Sequence, residues 1–105
     1  MSGECARYPV TQQAKQIYSS WSNDVSHPEM LSHFADRCIR RTPRRIVAMA
    51  KQSSGVSYGF VGIKSEFQQQ IRAFCFSQGI SITKFLSCVI ELSHNLRWRY
   101  IKAHR

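Results

Sequence analysis

The chain has 105 residues, enough for one small domain or a domain with an arm. Its 43% hydrophobic content argues against wholesale disorder, and no run approaches the roughly 18 apolar residues of a membrane span. Lys and Arg number 15 against 6 Asp and Glu, a formal charge of +9 that predicts attraction to polyanions, nucleic acid first and an acidic protein or membrane surface second.

Residues 1–10 read as a loose arm. The opening stretch MSGECARYPVTQQAKQ has no apolar core, so a secretory signal is not expected and a reducing cytoplasm is the simple assumption. From Thr11, TQQAKQIYSSWSN predicts a helix capped by Thr11, with Ala14, Ile17, Tyr18 and Trp21 on one side. Ser26-His27-Pro28-Glu29 is a start signal: Ser26 caps, Pro28 suits the first turn, and Glu29 stands three residues after the cap. Met30, Leu31, Phe34 and Cys38 or Ile39 then carry a second amphipathic helix to about Arg41. Thr42-Pro43 repeats the device for a third short helix with Ile46, Val47, Met49 and Ala50, and Ser53-Ser54-Gly55 links onward.

From Tyr58 to Leu92 the hydrophobic period changes. Val61 and Ile63 alternate with Gly62, so they share one face of a strand whose core is Gly59–Ile63. Phe67, Ile71, Phe74 and Cys75 then repeat at helical spacing. Gly79 stands where a left-handed C-cap requires it. Ser81 caps a last helix carrying Ile82, Phe85, Leu86, Val89 and Ile90. One strand and two short helices cannot bury their faces alone, which points to pairing with a second chain.

This succession, covering residues 58–92, resembles the ribbon-helix-helix family of the Met and Arc repressors. The resemblance implies a mainly α fold. One short strand would pair across a homodimer and be followed by two helices, here preceded by about three short N-terminal helices. It divides the chain into a helical, basic region, 1–54, and a dimerisation and DNA-binding domain with a basic tail, 55–105. It also implies a duplex DNA partner, with higher oligomers on DNA. The outward ribbon positions Tyr58, Phe60, Gly62 and Lys64 would meet bases in the major groove. The start of the last helix, Ser81, Ile82, Thr83 and Lys84, would clamp a phosphate.

Two basic runs would add non-specific affinity. One includes Arg37, Arg40, Arg41, Arg44, Arg45 and Lys51; the other includes Arg97, Arg99, Lys102 and Arg105. The function expected on these grounds is a sequence-specific DNA-binding dimer. It would act as a transcriptional repressor, or as an accessory factor of a plasmid or phage DNA-processing complex. The family usually places polar or basic side chains on the outward ribbon face, whereas here Phe60 offers no hydrogen bond. That departure motivates one alternative, the same scaffold used as a protein-interaction or inhibitor module with a protein partner. Tyr58–Ile63 also resembles the RNP1 strand of RNA-recognition motifs, in which Tyr58 and Phe60 would stack on bases.

Enzymatic chemistry is not expected. The histidines at 27, 33, 94 and 104 form no triad or metal pattern. The cysteines at 5, 38, 75 and 88 include no C-x-x-C pair, and there is no Gly-rich phosphate loop. No cofactor, metal or catalytic residue is therefore assigned.

Overall fold

The computed structural model describes residues 5–100. Its elements, in order, are β1 (Cys5–Val10), α1 (Gln12–Ser19), α2 (His27–Arg41), α3 (Pro43–Gln52), β2 (Gly59–Lys64), α4 (Ser65–Gln78) and α5 (Ile82–Asn95).

Local chemistry sets most of these boundaries. Thr11 Oγ1 accepts from the Ala14 amide at 3.4 Å, and Ser26 Oγ accepts from Glu29 at 3.4 Å. Ser81 Oγ accepts from the Lys84 amide at 3.1 Å. Each side chain satisfies one of the amides that a helix leaves open at its first turn. At α3 the device is different: Thr42 makes no side-chain cap, and Pro43 alone starts the helix. Gly79 ends α4 at φ 68°, and Ile80 N–H donates back to the Cys75 carbonyl at 3.1 Å. This is the left-handed cap that favours glycine. The first helix stops at Ser19, so Trp21 falls in the turn after it.

The core is built around α5. Every residue from Phe85 to Ile90 is buried, as are Leu92 and Ser93. A helix apolar on most of its circumference must be surrounded, and α1, α2, α3, α4 and β1 all pack against this one. Thr11 N–H donates to the buried Ser87 Oγ at 3.0 Å, tying the start of α1 to the centre of α5.

The phase of the second strand follows the alternation: Val61 and Ile63 are buried, whereas Phe60 is 51% and Tyr58 62% exposed. Its partner is another matter. β1 pairs antiparallel with β2 inside the same chain, with Ala6 opposite Ile63, Tyr8 opposite Val61 and Val10 opposite Gly59. Residues 5–10 are thus a strand rather than a loose arm; residues 1–4 lie outside the described part.

This pairing overturns the ribbon-helix-helix expectation. The molecule is a mainly helical globule of five helices and a two-stranded antiparallel sheet. One edge of β2 is taken by β1. Along the other edge, Lys15 Nζ donates to the Phe60 carbonyl at 2.6 Å, Gly62 N–H donates to Tyr18 Oη at 3.3 Å, and Lys64 N–H donates to Ser32 Oγ at 2.8 Å. Side chains of α1 and α2 thus stand where a second molecule's strand would have to pair. Gly62 permits the close approach of α2, because a Cβ there would lie 3.2 Å from Pro28 Cγ.

Candidate nucleic-acid interface

The arginines gather where two helices meet. Arg40 and Arg41 close α2, Arg44 and Arg45 open α3, and only Thr42 and Pro43 separate the pairs. All four are exposed. Arg40 and Arg41 complement the negative end of α2. Arg44 and Arg45 do the opposite, adding charge to the positive end of α3, whose first turn holds no acid. Arg40 makes a 3.1 Å ion pair with Asp36, which also accepts from Gln70 Nε2 at 2.8 Å. An exposed pair of this kind contributes roughly 0–1 kcal/mol. The junction therefore combines an excess of positive charge with open helix amides, the combination that attracts phosphate.

The described part of the second basic run, Arg97 and Arg99, is brought to the same helix, and Lys102 and Arg105 lie outside the described residues. After α5 the chain reverses through Arg97, a non-glycine residue at φ 56°, and Trp98 N–H donates to the Ser93 carbonyl at 2.9 Å. A left-handed backbone costs a side-chain-bearing residue about 1–2 kcal/mol. The contacts that follow hold it in place. Trp98 meets Phe34 edge-on at 5.6 Å, and the Arg37 guanidinium lies 4.1 Å from the centre of the Trp98 ring. Tyr100 stacks on His33 at 4.6 Å and donates to Glu29 Oε2 at 2.6 Å. Trp98 and Tyr100 thus turn toward α2, while Arg97 and Arg99 remain exposed. The period-two pattern of Arg97-Trp98-Arg99-Tyr100 was the available signal for this packing, and a reading of charge alone passes over it.

The expected ribbon residues occupy a different place. Tyr58 and Phe60 are exposed, Gly62 lies under Pro28, and Lys64 is half-buried. Pro28 stands at the start of α2 and the arginine junction at its end, a separation of roughly 14–20 Å at 1.5 Å per residue. The ribbon positions and the arginines are therefore not gathered at one spot.

The expected clamp residues are contiguous at the start of α5, but part of their chemistry is directed inward. Ser81 Oγ caps the helix, and the Lys84 stem crosses Gly55, where an added Cβ would come within 2.7 Å of Lys84 Cε. Ile82 and Thr83 are half-buried.

Among the described residues, no three of His, Cys, Asp and Glu converge to hold a metal ion, and no single helix is long and apolar enough to cross a membrane. Compared with protein-family models, curated proteins and solved structures, the chain finds no match.

Proposed function

We propose that the protein binds duplex DNA through the phosphate backbone and acts by occupying it, as a repressor or an accessory factor of a DNA-processing complex. The observation that carries this reading is the meeting of two basic runs, far apart in sequence, on one helix. Arg37 stacks on Trp98, so the exposed Arg97 and Arg99 flank the middle of α2, whose end carries Arg40 and Arg41 and leads into Arg44 and Arg45. Close packing of like charge destabilises a folded chain unless a polyanion takes it up. Asp36 offsets one of these charges by pairing with Arg40, and Glu29 accepts from Tyr100, which leaves the positive side in excess.

The reading concerns backbone recognition. Base readout by the strand forms no part of it, because Phe60 has no polar atom to offer a base edge. Mobility shifts against duplex DNA, single-stranded DNA and RNA test the proposal. Neutralising about six phosphates should give duplex binding with a log–log salt slope of about −5. Salt-insensitive binding, or no binding, would overturn it. A preference for RNA would instead favour the exposed Tyr58 and Phe60.

A further inference from the structure

Beside the basic surface lies a cleft of about 520 Å³, walled by Trp21, Met30, Phe34 and Trp98, with Asn95 and Arg97 among its lining residues. Its volume falls within the roughly 300–1,000 Å³ usual for small-molecule sites. We infer that this cleft takes an unpaired nucleobase of the bound nucleic acid, an inference that rests on the phosphate-backbone reading above.

The walls supply the flat apolar surface that a base requires. Phe34 meets Trp21 edge-on at 5.7 Å and Trp98 at 5.6 Å, so one ring fixes both indoles. Those indoles are only partly buried. Stacking of a base on an aromatic side chain contributes about 1–3 kcal/mol and tolerates any base. The polar groups suit a nucleotide as well. Asn95 offers an amide to a base edge, Arg97 offers a cation to the adjoining phosphate, and among the described residues no carboxylate lines the cleft.

Trp98 connects the two sites. Its ring carries the Arg37 guanidinium and also lines the cleft. A strand whose phosphates meet Arg37 and Arg97 passes the cleft mouth, where an extrahelical base can enter. A fully paired base cannot, because it remains stacked in its duplex.

The chain's two tryptophans both line this cleft, so intrinsic fluorescence reports on it directly. The experiment compares a short paired duplex with the same duplex carrying one bulged thymine, using the full chain. The bulged duplex should bind about tenfold more tightly, corresponding to the lower end of a stacking contribution, and should quench tryptophan emission. Trp21→Ala should remove that preference while leaving affinity for the paired duplex unchanged. Asn95→Leu, at an exposed position and so without demands on the core, should remove it by occupying the cleft mouth with a side chain that has neither a ring to stack on nor an amide for a base edge. Equal affinity for both duplexes with unchanged emission overturns the cleft assignment and leaves the basic surface standing. Binding of neither overturns both. A preference that survives both Trp21→Ala and Asn95→Leu also overturns the cleft assignment.

Discussion

The cysteines at 38, 75 and 88 sit in the interior as small apolar groups, and burial changes their acid–base behaviour. It pushes the Cys38 and Cys75 thiols from 9.0 up to about 12, and Cys88, with Glu91 adding to the effect, to about 11. Tyr100 is raised to about 12, chiefly by burial and then by the Glu29 carboxylate it donates to. In every case the folded chain holds a proton that the unfolded chain releases at a lower pH. The stabilisation is therefore complete below the ordinary thiol value near 9 and falls as pH rises toward 11–12. Each thiol adds to the slope of stability against pH once its unfolded form ionises, above about pH 9. Urea unfolding followed between about pH 8 and 10.5 should show this steep loss, and Cys75→Ala should flatten the slope by about a third. An unchanged slope would mean that the thiol is not protected by the fold.

At the scale of elements, β2 depends on side chains for one of its edges. Ser32 is fully buried, donates to the Pro28 carbonyl at 2.7 Å and accepts from Lys64 N–H at 2.8 Å. Ser32→Ala leaves that amide without its partner, which should cost about 1–3 kcal/mol. A lowered urea midpoint with faster hydrogen exchange at Lys64 is the expected result; unchanged exchange would contradict the edge assignment. The helices were legible in the sequence because their signals are local: Thr11, Ser26 with Pro28, Gly79 and Ser81 each act within one turn. Ala6, Tyr8 and Val10 do alternate with Cys5, Arg7 and Pro9, but Pro9 interrupts a short segment whose partner lies some fifty residues away. Pro9 is acceptable there because β1 is an edge strand. The ribbon-helix-helix expectation failed for a related reason. A strand followed by two helices has the same sequence pattern whether its pairing partner comes from another chain or from the same one. Long-range pairing decides between the two, and periodicity carries no record of it.

The chain carries a charge of +9 on a small globule with a Cα radius of gyration of 12.7 Å. The sequence showed two basic runs but not that Arg97 and Arg99 lie along the helix that ends in Arg40 and Arg41, because that depends on Trp98 and Tyr100 folding back onto α2. If the α2–α3 junction meets phosphate, Arg44→Glu with Arg45→Glu should weaken duplex binding across all sequences and reduce the salt slope by about 2. Unfolding measured in parallel should show stability unchanged or raised, since the substitution relieves repulsion at the start of α3. An unaltered salt slope would remove this junction from the interface.

The central position of α5 also governs the order in which the molecule can be completed. It is the last helix among the described residues, yet the elements before it bury their apolar faces against it. Val10, Ala14, Leu31 and Ile46 belong to the same core cluster as Phe85 to Leu92, so synthesis supplies a large part of their apolar surroundings last. A fragment ending before α4 should therefore lack a cooperative unfolding transition, which thermal unfolding followed by circular dichroism checks.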